Sequence, residues 1–378
     1  MVVIESDQEI EDFVRGCTFL GTGGGGEPAV GIAWLKAVRD KGEIIGWVDH
    51  TEISDDVWTA CPFVMGSIAP LTEEVSKRKE WFGLTEELYR MQHEAAVRWL
   101  EEYMSIKIGA LVAIEPGGGN TPGVVAAASL LGISAVDGDY AGRAMPEIFM
   151  TTPCLNKLSL CPIASIDSYG NFAVIKESTS YQMAERIGKL ISAASFGFAG
   201  QAGFPLKGRD MKRVVIPGTL SKCLRIGRSI RQAREGGVDP VRAIIKEFDG
   251  WLLFEGAVSK KEWEDKEGYY WGSHTIRGQG EFEGSEFRIW FKNENHVSWL
   301  DGKPYVTSPD MLIVLERQNG EPITNASLTE GQHVAVVGLR AVEPFRTPEG
   351  VNVLGPRHFQ FDIDHTPIDK VVSQKGKD

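Results

Sequence analysis

The sequence predicts two domains of different class: an α/β N-terminal domain with a parallel βαβ core, and a β-rich C-terminal domain of sandwich or barrel-like form. Three observations carry this. Residues 108–114 and 133–136 are short, nearly all-apolar runs, the pattern of strands buried on both faces. An apolar helix stopped by Gly132 lies between them, and such a crossover sets its two strands parallel. From Trp251 onward helical periodicity gives way to WLLFEGAV, YYWGSHTI, EFRIWF, DMLIVL and HVAVVGL, β-like runs separated by Gly, Pro and Asn turns.

Each element has its own signal. Ser6-x-x-Glu9 reads as a capping box, and Ile10, Phe13, Val14 and Cys17 follow on one helical face. A run of glycines at 21–26 precedes a helix opened by Pro28, which buries Val30, Ala33, Trp34, Ala37 and Val38 and ends at Gly42. Residues 43–48 and 57–65 read as strands, the second closing at Gly66-Ser67, and an amphipathic helix over about 85–103 follows. Glu115 and Pro116 end the first crossover strand, and Thr121 stands at an N-cap position with Pro122 at the first helical position. Beyond Glu147, residues 158–166 and 172–176 flank Tyr169-Gly170-Asn171 as a hairpin, and a helix spans about 181–194. The glycine-rich passage SFGFAGQAGFPLKG reads as flexible; a short strand at 213–216 and helices to about 235 and 248 complete this part. The expected division is 1–167 and 168–370, the latter helical at 181–248 and then β-rich, with a tail at 371–378.

Bulk properties narrow the function. A chain of 378 residues can bury two sizeable cores. The net charge of −12 argues against nucleic acid or an anionic membrane as partner, since neither would be attracted over distance. No apolar run is long enough to span a bilayer, and MVVIESDQEI has neither the basic nor the apolar part of an export signal. The five cysteines, at 17, 61, 154, 161 and 223, are odd in number and form no CxxC pair, as in reduced cytoplasmic proteins.

Both crossover loops leave the carboxyl edge of one sheet, where open α/β sheets bind ligands. That edge carries Glu115, the 117–120 loop, Asp137, Asp139, Arg143 and Glu147. The run at 21–26 matches GxGxxG only formally, because a helix precedes it and no P-loop lysine follows. Thr22, Gly23, Gly24, Gly25 and Gly26 could cradle an anionic or polar ligand on backbone N–H groups; a tight helix–helix corner is the alternative. Gly117, Gly118, Gly119, Asn120 and Thr121 form a second such loop. Asp137 and Asp139 flank a glycine directly after a strand, and their repulsion can lift one into the acid–base range. The bland alternative is a pair of turn caps. Lys222, Arg225, Arg228, Arg231 and Arg234 recur at a spacing that drifts round a helix, so most are solvated, and Lys222 in the first turn is the one placed to meet a ligand. The seven histidines show no HxH or HExxH spacing; a divalent metal would draw on His274, His296 and carboxylates, and no cofactor is required. Cys154 lacks a visible base and reads as a small buried residue.

LGTGGGG, IEPGGGNTP, VDGDYAGRAMPE and the late GPRHFQFDID followed by PID together resemble the S-methyl thiohydantoin desulfurase family, over nearly the whole chain. The resemblance implies an α/β domain followed by a β-rich one, a hydantoinase- or oxoprolinase-type protein partner, and cyclic amides or their thio analogues as substrates. It also implies hydrolytic removal of sulfur from a thiohydantoin ring. The expected mechanism has Asp137 or Asp139 activate water for attack at ring C2, with Glu115 as the next candidate base. N–H groups of 117–120 would receive the developing charge, a thiol would leave, and Arg143 would orient a substrate carboxylate. Two other readings stand beside it: a nucleotide- or anion-binding module, and a non-catalytic subunit of a hydantoinase/oxoprolinase-type complex. Self-association into a homo-oligomer is also expected.

Overall fold

The apolar runs become two seven-stranded sheets in the computed structural model, which describes residues 1–66, 73–89 and 91–375. Ser67, the expected end of a strand, and residues 376–378 of the expected tail lie outside the described residues.

In the first sheet Ile108–Ala113 and Ser134–Asp139 pair in parallel, Ala110 opposite Ser134 and Ala113 opposite Asp139. Trp58–Gly66 runs parallel on the other side of Ile108–Ala113. The crossover helix, Asn120–Leu131, buries every residue from Thr121 to Ala128 and ends at Gly132 with φ 67°. Its weak amphipathicity follows from its position, with the sheet on one side and the helices Pro28–Asp40 and Gln92–Met104 around it.

Antiparallel strands extend this core. Phe198–Lys207 lies between Trp58–Gly66 and Ile163–Asp167, and Phe172–Ile175 and Ile216–Pro217 form the two edges. The passage read as flexible is therefore a central strand. Its glycines serve close packing: a Cβ on Gly200 would lie 2.2 Å from Gln92 Cβ, and one on Gly203 2.9 Å from the Leu160 oxygen. This sheet reaches residue 217, so strands from both sides of residue 167 share it. Helix Thr219–Glu235 also packs on Asp7–Leu20, with Gly16 directly against the Cys223 backbone.

The second sheet, from Trp251 to Leu339, is antiparallel throughout and curls into a half-barrel. Leu253, Phe254, Ile276, Phe287 and Ile289 fill its interior. Elsewhere the expected helix at 85–103 starts only at Gln92, and Glu73–Trp81 forms a separate helix. Of the expected strand at 213–216, residues 213–214 end the helix Gly208–Val214 and Ile216 opens the edge strand Ile216–Pro217; the expected tail starts within the helix Ile368–Lys375, anchored by buried Ile368. No helix among the described residues is long and apolar enough to cross a membrane.

Candidate functional site

A cavity of about 460 Å³ opens at the carboxyl ends of Trp58–Gly66 and Ile108–Ala113, where the half-barrel meets the first sheet. Glu115, Asn120, Lys189, Glu294 and the glycines at 24–26 line it. Glu115 follows its strand directly and is 4% exposed. Its Oε1 accepts from Asn120 Nδ2 at 2.9 Å and its Oε2 from the Met145 N–H at 2.8 Å. Burial nevertheless dominates and pushes its pKa up to about 7, with the negative charge of Asp139 adding to the rise.

Glu294 opens the strand Glu294–Leu300 of the half-barrel and reaches the same cavity from the other domain. Its Oε1 accepts from the Gly25 N–H at 3.3 Å, whereas buried Oε2 has no hydrogen-bond partner among the described residues. Burial, then the charge of Glu115, raises its pKa well above the carboxylate range. The cavity thus holds two buried carboxyl groups, and the charge of Glu115 disfavours the ionisation of Glu294.

The two glycine runs lie against each other. The Gly25 carbonyl accepts from the N–H groups of Gly119 and Asn120, at 3.0 and 3.2 Å, and Gly117 N–H donates to Thr121 Oγ1 at 2.8 Å. Thr121 Oγ1 in turn donates to the Glu115 carbonyl, so it ties the loop together while Gly119 occupies the N-cap position. Three of the four N–H groups expected to receive negative charge are therefore already bonded. Glycine is required because the backbones touch: a Cβ on Gly25 would sit 2.5 Å from Gly117 Cα. Of the expected binding residues, Gly24, Gly25, Gly26, Gly119 and Asn120 line the cavity; Thr22, Gly23, Gly117, Gly118 and Thr121 stand behind them.

The paired aspartates lie off the cavity. Asp137 accepts from the Ser221 N–H at 3.0 Å and from its hydroxyl, so it caps the helix Thr219–Glu235. Asp139 Oδ1 accepts from Ala141 and Gly142 N–H at 2.6 and 2.5 Å; burial pushes its pKa up to about 6. Arg143 is 1% exposed and spends all five donors internally. They go to Ala144 O (3.0 Å), Pro309 O (3.4 Å), Asp310 O (3.1 Å), Thr22 Oγ1 (2.9 Å) and Asn295 O (2.8 Å). Arg143 therefore joins the glycine loop to the half-barrel and has no donor left for a substrate. Glu147 is paired with Lys292 and His358, and Lys222 is outside the cavity lining.

His274 bonds Asn325 at 3.0 Å, and burial pushes its pKa down to about 3. His296 packs against Phe359, its ring nitrogens without a hydrogen-bond partner among the described residues. Among the described residues no group of three or more His, Cys, Asp or Glu is arranged to hold a metal ion. Cys154 is buried, and its thiol is pushed up to about 12, mainly by burial.

Fold and cavity define a two-domain protein in which an α/β layer and an antiparallel half-barrel each give one buried glutamate to a shared cavity. The chain belongs to the S-Me-THD-like family, that of S-methyl thiohydantoin desulfurase: "S-Me-THD-like, N-terminal domain" matches residues 8–177, and "S-Me-THD-like, C-terminal domain" matches 179–368. A crystal structure of a protein from Chromobacterium violaceum shares the fold, with a TM-score of 0.77 and 21% identity over 97% of this chain and 100% of that one. No curated protein matches.

Proposed function

We propose that the chain is a hydrolase that removes sulfur, as a thiol, from an S-alkylated thiohydantoin ring. The carrying observation is the placement of Glu115 and Glu294 on one cavity wall, both raised above the usual carboxylate range and each raised by burial. Their surroundings differ, which assigns them opposite roles: Glu115 accepts from Asn120 and the Met145 N–H, whereas buried Glu294 Oε2 finds no donor among the described residues. Glu294 keeps its proton and gives it to a ring nitrogen, making C2 more electrophilic. Glu115, whose carboxylate those two donors stabilise, takes a proton from water as the water oxygen bonds to C2. The C2–S bond then breaks with its electron pair on sulfur, and the C2 hydroxyl becomes the hydantoin carbonyl. The net change is ring plus water giving hydantoin plus thiol.

Family membership supports the substrate class, and the free state of all five cysteines fits a cytoplasmic setting. A hydantoin product is what a ring-opening hydantoinase-type partner would consume. The test is incubation with S-methyl-thiohydantoin, thiohydantoin, hydantoin and oxoproline, with thiol trapping and product mass. Methanethiol release from the first is expected. Thiol release from neither sulfur compound by folded protein would sink the reading.

A further inference from the structure

Of the two lysines on the cavity wall, Lys79 sits over the Tyr169 ring, 5.1 Å from its centroid, and Lys189 has no task in the acid–base scheme. Lys189 lies in the helix Tyr181–Ala194, and its Nζ donates to Gly66 O at 3.3 Å and Gly268 O at 3.1 Å. It also sits 4.1 Å from the Tyr269 ring centroid. An ammonium carries three donors, so among the described residues one remains beyond these two carbonyls. The charge of Lys189 is felt by both Glu115 and Glu294, which places it in the same electrostatic field as the reacting pair. Its immediate acidic neighbour, Glu185, is engaged elsewhere, accepting from Tyr269 OH at 2.7 Å and the Ile148 N–H at 2.8 Å.

We propose that Lys189 is a third catalytic residue, which meets the departing sulfur with its remaining N–H and protonates it as the C2–S bond breaks. This role rests on the thiohydantoin reading. Both glutamates are committed to the water and the ring nitrogen, yet an alkanethiolate is a basic leaving group that departs faster with a proton or a cation beside it. A compact point charge suits a single sulfur atom, whereas an arginine fork would suit a carboxylate. Burial lowers the lysine pKa from its ordinary value, which makes it a more ready acid. The step balances: the C–S electron pair goes to sulfur, the lysine proton follows it, and the C2 hydroxyl proton, released as the carbonyl forms, restores the ammonium.

Two substrates of matched shape test this, the S-ethyl and S-(2,2,2-trifluoroethyl) thiohydantoins, since the fluorinated thiolate leaves well without help. In Lys189→Met, kcat for the S-ethyl compound should fall roughly 10²–10³-fold, and for the fluorinated one less than about tenfold. Equal losses on both would overturn the role and leave Lys189 as a scaffold residue. Lys189→Arg, which keeps charge but holds its proton too tightly to donate it, should show the same split if the Met variant does not fold. Failure of both variants to fold also assigns Lys189 to the scaffold. Wild-type protein inert towards both substrates refutes the thiohydantoin reading itself, and this role with it.

Discussion

Asn120 fixes Glu115 through an oriented amide: its Oδ1 accepts the Val64 N–H at 3.1 Å, so its Nδ2 must face Glu115 Oε1, at 2.9 Å. Asn120→Asp would remove that donor and add a negative charge beside a carboxyl already pushed up to about 7. Both changes favour the protonated form of Glu115. A base works only when ionised, so the acidic limb of the kcat/KM profile should move to higher pH. An unmoved limb would exclude Glu115 as the titrating base.

The same raised carboxyl makes stability depend on pH. Glu115 titrates at about 7 in the fold against an ordinary 4.5, so the folded state binds the extra proton. Stability from this source is full below 4.5 and is lost as pH rises through about 7. Glu115→Gln cannot ionise and escapes that loss. The melting temperature of the variant relative to wild type should therefore climb from pH 4.5 to 7 and then level off. A flat difference across that window would show that the carboxyl is not raised.

What could be read in the sequence was local or periodic. The crossover, its Gly132 stop and the parallel pairing follow from runs of neighbouring residues, and the β-rich second domain from β-like runs separated by turn residues after Trp251. What was missed depends on contacts between distant segments. Glu294 meets Gly25 across 269 residues, and nothing in its neighbours Asn293 and Asn295 marks it. Lys189 sits in an ordinary amphipathic helix; only the folding of Gly66 and Gly268 towards it makes it a cavity residue. Glycine-rich text suggested mobility at 195–208, but there Gly200 and Gly203 let a central strand pack tightly on its neighbours. The aspartate pair was legible as a motif, but the hydrogen bonds that turn it towards the backbone were not.

Those bonds predict the behaviour of the aspartates and Arg143. Asp137→Asn weakens a helix cap and should cost about 1 kcal/mol of stability while keeping most turnover. Arg143→Lys offers three donors to five acceptors, and each buried acceptor left unpaired costs about 1–3 kcal/mol. A large fall in melting temperature is expected, with no selective rise in KM for substrates that bear a carboxylate. Such a selective rise would return Arg143 to substrate binding.

Gly24 and Gly25 are adjacent, line the same cavity, and should respond differently to alanine. Gly25 has φ +78°, and its added Cβ would lie 2.5 Å from Gly117 Cα. Two backbones would have to part, so Gly25→Ala should lower stability strongly, and activity with it. At Gly24 no left-handed conformation is needed, and the added Cβ would meet Glu294 at 2.0 Å from Oε1. A side-chain carboxyl can rotate away where a backbone cannot. Gly24→Ala should thus keep most of its melting temperature while displacing Glu294 from the cavity wall. If Glu294 donates the ring proton, kcat should fall roughly 10²-fold or more, as for Glu294→Gln, and the double variant should lose little beyond either single one. Additive losses in the double variant would mean that Gly24 acts on the substrate by some route other than Glu294.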